Sequence, residues 1–372
     1  MFCKDFDRLN CWLEIYPNVV IDNLKTVKKH LNKKCKICCV VKANAYGHGS
    51  AEIAKVLEKE DIYCFGVANI NEGISLRNAG IKKPILIFGY TNPLCADLLL
   101  EHNLTQSIFS FEYAQTLIKN LHKKGKIQAH IKVNTGMNRL GFNPNNKEHL
   151  EEVVSIYKDS HFIIDGIFTH FYNADSLGSK EKDTIKQFEI FTNFVNDLEK
   201  HGVVFNIKHC SNSAATINFP NMQLDMVRVG ASLYGINVSD KIKVKEAMCL
   251  KARISQIAKI KKGDIISYGA RFVADKEMTI ATITAGYADG IWRSNFNKLE
   301  VTIRGHRCKV VGTICMDQMM VDVSETDCFE NDEVIIYGKN GMPISEIAKN
   351  NSTISYEIMC DVGYRAKRKF IL

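Results

Sequence analysis

Between residues 35 and 235 the chain carries eight short, apolar, β-prone runs, and several are separated by helix-like segments. The runs read ICCVV, YCFGVAN, PILIFGY, TQSIFS, AHIKVN, IIDGIFTH, FNIKHC and MVRVGASLYG. Helical spacing of apolar residues predicts helices over 51–58, 72–78, 96–102, 113–122, 150–157 and 184–198, with one more over 19–30 ahead of the first run. Strands linked through helices lie parallel and are covered on both sides, which is why such runs are continuously apolar. Eight of them in succession predict a (β/α)8 TIM-like barrel. An open doubly wound sheet is the alternative, but the chain has no GxGxxG fingerprint. After about residue 240 the texture changes to short strand-like runs between glycine or charged turns, ARISQIAKI, GDIISYG, MTIATITAGY, LEVTIRG, CKVVGTICM, MMVDVS and DEVIIYG. With 372 residues, two domains are expected: a barrel over 13–240 and a mostly β domain over 241–372, which residues 1–12 join. A short helix over 345–350 is the one helical pattern expected in the second domain.

Charge and cysteine usage narrow the class. The net charge is +8, but its lysines are scattered and their densest clusters, at 28–30, 33–36 and 123–126, are short. No nucleic-acid-binding motif accompanies them, so no nucleic-acid partner is expected. The thirteen cysteines follow no regular framework, and Cys38, Cys39 and Cys64 lie inside apolar runs, as free thiols in a reducing cytoplasm do. Cys35 and Cys38 have the spacing of a metal-ligand pair, but no second pair follows, and no metal is expected. The first ten residues are polar and include acids, unlike a signal peptide, and no apolar stretch reaches membrane-spanning length.

Polar residues gather where the barrel runs end. In VVKANAYGHG, residues 40–49, Lys42 closes the first run and a helix pattern follows. Lys132 and Asn134 lie in the fifth run, His170 ends the sixth, His209, Asn212 and Ser213 close the seventh, and Arg228 lies in the eighth. Active sites of parallel barrels sit at the carboxyl ends of their strands. Each of these residues alone reads as locally satisfied; their convergence on one mouth argues for chemistry. A lysine in apolar surroundings beside other cations has a lowered pKa, and a neutral amine condenses with aldehydes. Pyridoxal 5'-phosphate is an aldehyde that also needs an anion site. SNSAATI after run seven and RVGAS in run eight suit a phosphate, with Ser213 as N-cap of the segment 214–217. Arg228 is then expected against the pyridine nitrogen, where a guanidinium keeps its proton.

The chain resembles the alanine racemases, a pyridoxal-phosphate family with a barrel and a C-terminal β domain. The resemblance spans nearly the whole chain through VVKANAYGHG, KVNTGMNRLGF, THFYNAD, HCSNSAA, MVRVGASLYG, SYGARF, GYADG, GTICMDQMMVDV and GYRAKR. It implies that Lys42 carries the cofactor, and that Tyr46, Ser213, Gly230, Ala231 and Tyr364 contact its phosphate. It sets Arg228 at the pyridine nitrogen with His170 beside it, and His209 and Asn212 in the network around them. It makes Lys42 and Tyr268 the two catalytic bases. Arg139 and the Met316 backbone fall on the side of the substrate carboxylate and cofactor hydroxyl. Tyr287, Cys315 and Asp317 line the entrance and pocket. Lys132 matches a lysine, often carbamylated, that braces the arginine. The family assembles its site across a head-to-tail homodimer, so Tyr268 is expected from the other subunit. The implied activity is interconversion of L- and D-alanine, supplying D-alanine for bacterial peptidoglycan.

Four departures stand out. Asn134 replaces a common aspartate, Asn138 a common glycine and Thr313 a frequent arginine, and no proline follows YRA. The first two neighbour Arg139, so a racemase of serine or of a broad set of amino acids is the nearest alternative. A non-catalytic pyridoxal-phosphate-binding barrel resembles the first domain only, and SYG and ICMDQ count against it. A barrel decarboxylase of amino acids is a weaker third reading.

Overall fold

In the computed structural model, residues 8–178 and 181–372 are described, so residues 1–7 of the expected N-terminal segment, including Cys3, lie outside the described residues. The eight barrel strands are Lys36–Val40, Cys64–Val67, Ile85–Ile87, Thr105–Ile108, Ile127–Lys132, Phe162–Phe168, Ile207–His209 and Met226–Val229. Each falls within or beside its predicted run. Successive strands pair in parallel from the first through the seventh, and the first also pairs with the eighth. The sheet closes, which excludes the open form, where its two end strands also meet. The seventh and eighth strands meet through Asp225 N–H to Lys208 O at 3.1 Å and Arg228 N–H to Ser211 O at 2.9 Å.

The outer helices carry local start signals. Asn69, Ser110 and Asn146 each accept a first-turn backbone N–H at an N-cap. The helix Ser213–Asn218 corrects one expectation. Asn212 is its N-cap, accepting from Ala215 N–H at 2.9 Å, while the Ser213 hydroxyl turns away and accepts from Gly230 N–H at 3.0 Å.

The second sheet has eight strands, and its spine is the long strand Met248–Ile260. It pairs with Glu333–Gly338 along its first half and Met278–Ile283 along its second, with a register shift between Ile254 and Gln256. Two strands of this sheet escaped the sequence pattern. Cys11–Ile15 pairs antiparallel with the spine and parallel with Lys367–Phe370. The first is too short to show alternation, being buried throughout, and the second, KRKF, is mostly basic. A second short helix, Ser355–Cys360, follows Ile344–Asn350. Of GDIISYG only Ile265–Ile266 is strand, and Tyr268 lies in a tight turn. One hydrophobic core runs through both units, joining Ile37 and Val229 to Met248, Ile336 and Met359. The described cysteines are unpaired thiols. Among the described residues no helix is long and apolar enough to cross a membrane.

Candidate active site

Lys42 stands two residues past the end of the first barrel strand and opens a left-handed turn. Ala43, Asn44, Ala45 and Tyr46 all have φ between 52 and 55°. Left-handed geometry costs non-glycine residues about 1–2 kcal/mol each, so the turn needs clamps. Glu72 supplies one, accepting Ala43 N–H and Ala68 N–H at 2.7 Å each. Asn44 Oδ1 accepts from Ser50 N–H at 2.9 Å. The C-terminal unit supplies another, with Arg368 Nε donating to Gly47 O at 2.6 Å. Gly47 is obligatory there, having φ 83° and leaving a Cβ only 2.2 Å from Met359 O. Burial first, then the Arg139 charge, pushes the Lys42 amine below its ordinary pKa, with Glu72 pulling the other way.

Behind Lys42 lies a buried layer of cations and neutral rings. Arg228 is only 4% exposed, and its guanidinium donates to Thr169 O at 2.8 Å, Cys210 O at 2.9 Å, His209 Nδ1 at 2.9 Å and His170 Nδ1 at 3.2 Å. An arginine only donates, so both imidazoles accept through Nδ1 and carry their proton on Nε2. His209 Nε2 then donates to His130 Nδ1 at 2.9 Å. Burial first and the Arg228 charge second hold His170 and His209 well below the usual histidine range. Arg228 itself is pushed down to about 10 by burial and stays charged at neutral pH. Lys132, buried with its amine 4.5 Å from the Phe168 ring centre, is driven far below the ordinary lysine value by burial, then by Arg228 and Arg139.

These residues open into a cavity of about 1130 Å³. Lys42, Tyr46, Lys132, Arg139, His170, Asn212, Ser213, Arg228, Gly230 and Ala231 all line it. His209 stands behind Arg228 and not on the wall. At Gly230 a Cβ would stand 2.6 Å from the Tyr46 hydroxyl, so only glycine leaves this corner open. The Arg139 loop keeps its shape without the aspartate: Asn134 Oδ1 accepts Gly136 N–H at 3.1 Å and Asn138 N–H at 2.9 Å. Asn138 adopts φ 55°, a conformation asparagine tolerates better than other side chains. Among the described residues no carboxylate pairs with Arg139.

A second cluster forms on the β domain. Tyr287 N–H donates to Cys315 O and Ala288 N–H to Met316 O, both at 3.0 Å, and the Ser267 hydroxyl lies 3.4 Å from Cys315 Sγ. Asp317 pairs with Arg365, next to Tyr364, at 2.6 Å. None of Tyr268, Tyr287, Cys315, Met316, Asp317 and Tyr364 lines the Lys42 cavity of its own chain. Five are exposed: Tyr268 at 70%, Tyr287 at 42%, Met316 at 52%, Tyr364 at 85%, and Asp317.

Two family profiles cover the chain end to end. The alanine racemase N-terminal domain matches residues 16–238, and the alanine racemase C-terminal domain residues 247–370. The chain belongs to the alanine racemase family. An alanine racemase of Desulforamulus reducens is 39% identical, over 97% of this chain and 98% of its own. One of Clostridium novyi is 40% identical, over 97% of this chain and 95% of its own. The solved alanine racemase of Clostridium difficile 630 superposes with a TM-score of 0.93 at 39% identity, covering 98% of this chain and 96% of that one. Against this family the sequence reading overlooked His130, which ends the relay from Arg228. It also overlooked Tyr356 and Cys360, which bring the C-terminal unit of the same chain onto the cavity wall. Glu72 had a signal, since it stands three residues after the N-cap Asn69. Its carboxylate, however, divides between the two: one oxygen accepts Ala68 N–H just ahead of its own helix, the other Ala43 N–H in the Lys42 turn.

Proposed function

We propose that this racemase interconverts L- and D-alanine, with Lys42 carrying pyridoxal 5'-phosphate and with Lys42 and Tyr268 as bases on opposite faces of the substrate. The residues present fit that cofactor. The site offers the Lys42 amine, its pKa lowered, in front of the buried Arg228 guanidinium, which stays charged. The corner kept open by Gly230 is a cradle for phosphate. Ser213 accepts from Gly230 N–H, so its own hydroxyl proton is available to an anion there, beside the Tyr46 hydroxyl and Ala231. When bound, the cofactor supplies an electron sink that acidifies the α-proton of the attached amino acid.

The chain's own residues do the rest. Lys42, its pKa lowered by burial and then by the Arg139 charge, takes or returns a proton at its amine. Arg228, held by four acceptors, presents a fixed donor to the ring nitrogen. Arg139, free of any carboxylate among the described residues, receives the substrate carboxylate, braced by Lys132 and joined by the Met316 backbone. Tyr287, Cys315, Asp317 and Tyr364 surround the entrance or the phosphate. His209, Asn212 and His170 hold Arg228 and the cavity wall in place. The barrel reaches to about residue 240 and the sheet domain follows, a division supported by the break between the two family matches at 238 and 247. A cytoplasmic location is supported by unpaired cysteines, and a role in supplying D-alanine for peptidoglycan by the bacterial relatives.

The observation that carries this reading is that Tyr268 and Met316 stand exposed and outside their own chain's Lys42 cavity. A head-to-tail homodimer brings them to the partner's cavity and, by two-fold symmetry, makes two composite sites. Turnover of L-alanine to D-alanine, with and without added pyridoxal phosphate, tests the activity. Mixing inactive Lys42→Ala and Tyr268→Phe subunits tests the assembly. Each mixed dimer holds one doubly defective site and one intact site, so random exchange restores about a quarter of wild-type activity. If both residues of a site came from one chain, nothing would return although tagged subunits exchange.

A further inference from the structure

Tyr268 occupies an unusual turn. Ser267 before it has φ 65°, Gly269 after it φ 76° and Ala270 φ 48°. Two of these are non-glycine residues in a conformation that costs each about 1–3 kcal/mol. Such a turn persists only where its surroundings over-determine it. Its ring gives no anchor, because Tyr268 is 70% exposed. The backbone must therefore be gripped from outside.

The grip comes from Thr313. Its hydroxyl donates to Tyr268 O at 2.9 Å, and its own carbonyl accepts from the Ser267 hydroxyl at 2.6 Å. The two bonds form a reciprocal clasp across adjacent residues of the turn. Thr313 is 1% exposed, so water does not replace its hydroxyl. Gly312 lets the two loops come this close: it has φ 73°, and a Cβ there would stand 2.8 Å from Ile266 O. Beyond Thr313 the same loop carries Cys315, Met316 and Asp317. One clasp thus fixes Tyr268 relative to the whole exposed cluster.

We propose that Thr313 is the positioning residue for Tyr268, setting the direction in which the phenol is presented to the other subunit's cavity. The inference rests on the reading of Tyr268 as one of the two bases. Where relatives frequently carry an arginine at this position, this chain uses a short buried hydroxyl on the turn itself.

The test compares Thr313→Val, which keeps the shape and removes the donor, with Thr313→Ser, which keeps the donor. In the purified holoenzyme, amide hydrogen exchange over residues 266–271 should rise about ten-fold in the valine variant, and the serine variant should stay near wild type, as the loss of one buried hydrogen bond implies. Exchange of the α-proton with heavy water, started from L-alanine, should slow about ten-fold in Thr313→Val, while exchange started from D-alanine, served by Lys42, holds near wild type. Thr313→Ala, which leaves no buried mismatch, should repeat the pattern if the valine variant folds poorly. Equal slowing from both enantiomers, or unchanged exchange over 266–271, would overturn the proposal. Tyr268→Phe runs alongside as the control. If that variant leaves exchange from L-alanine intact, the two-base reading itself fails. If it abolishes that exchange while the threonine variants behave as wild type, only the role of Thr313 is lost.

Discussion

Adding one methyl group at Gly166 should damage the layer beneath the active site. Gly166 lies in the sixth barrel strand, directly across from His130 of the fifth. An alanine Cβ there would stand 2.6 Å from both Cε1 and Nδ1 of the imidazole and 2.8 Å from its Cγ. Ordinary contacts between such atoms are about 3.5–4.0 Å, so the overlap is about 1 Å. The ring has little room to retreat: it is buried and meets His209 edge-on, and His209 lies stacked on Phe168 at 4.7 Å. Overpacking of this kind costs about 1–3 kcal/mol. If the ring turns aside instead, the 2.9 Å bond from His209 breaks. A buried donor is then left unmatched, for about 1–3 kcal/mol more. The loss of glycine's freedom in the unfolded chain returns about 0.4–1 kcal/mol. The net expectation is a destabilisation of about 1–5 kcal/mol, read as a lowered urea midpoint at unchanged slope. In a His130→Ala background the methyl group has room, and its further effect should fall below about 1 kcal/mol, a coupling that a double-mutant cycle isolates. A Gly166→Ala protein within about 1 kcal/mol of wild type, or an equal effect in both backgrounds, would refute the reasoning.

Two other expectations follow from the buried charges. Burial lowers His130 and His48 from 6.5 to about 4. The unfolded chain therefore binds protons at these rings through a window in which the folded chain does not, and stability should fall as pH drops from about 6.5 to about 4, by on the order of 3 kcal/mol per ring; urea midpoints that stay level across this window would contradict it. Glu72→Gln removes the one carboxylate that lifts the Lys42 pKa and sets an amide donor against one of two backbone N–H groups. Lys42 should react with pyridoxal phosphate, trapped by borohydride, at lower pH than in wild type and stability should drop by about 1–3 kcal/mol, whereas an unshifted pH profile would show that Glu72 does not act on the amine.

The barrel was legible because its strands are buried on both faces, so burial wrote itself into the sequence as eight continuous apolar runs. Its mouth was legible because Lys42, Lys132 and Arg228 are charges set among those runs. What stayed hidden depends on contacts between distant segments. The strand Cys11–Ile15 is defined by its two neighbours, Met248–Ile260 and Lys367–Phe370, both far along the sequence, and no local alternation marks it. Ser213 looked like a helix cap because serine is good at capping. Asn212 took that place because the Ser213 hydroxyl was needed across the chain at Gly230. His130 gave no signal at all, since a histidine inside an apolar run looks the same whether it ends a relay or fills a gap. The left-handed turn at 43–46 is equally unreadable, as alanine gives no local reason to enter it. It exists because Glu72 and Arg368 hold it from two sides.

The electrostatics of the mouth explain why so many basic groups tolerate one another. Lys42, Lys132, Arg139 and Arg228 share one cavity wall, and among the described residues no carboxylate forms an ion pair with any of them. Burying a charge without a counter-charge is costly unless the charge is dispersed or surrendered. Arg228 disperses its charge over two carbonyls and two imidazoles. Those imidazoles surrender theirs, staying neutral beneath it, and Lys132 is pushed the same way by burial and by its two arginine neighbours. A carboxylate set directly against these cations would relieve the strain, but it would also pair with Arg139 and raise the Lys42 pKa, as Glu72 already does in part. On the proposed reading the negative charge is left to the ligand, a phosphate at the Gly230 corner and a carboxylate at Arg139. Because no carboxylate pairs with these cations among the described residues, the Lys42 amine is held below its ordinary pKa and Arg139 has no competitor for an incoming carboxylate.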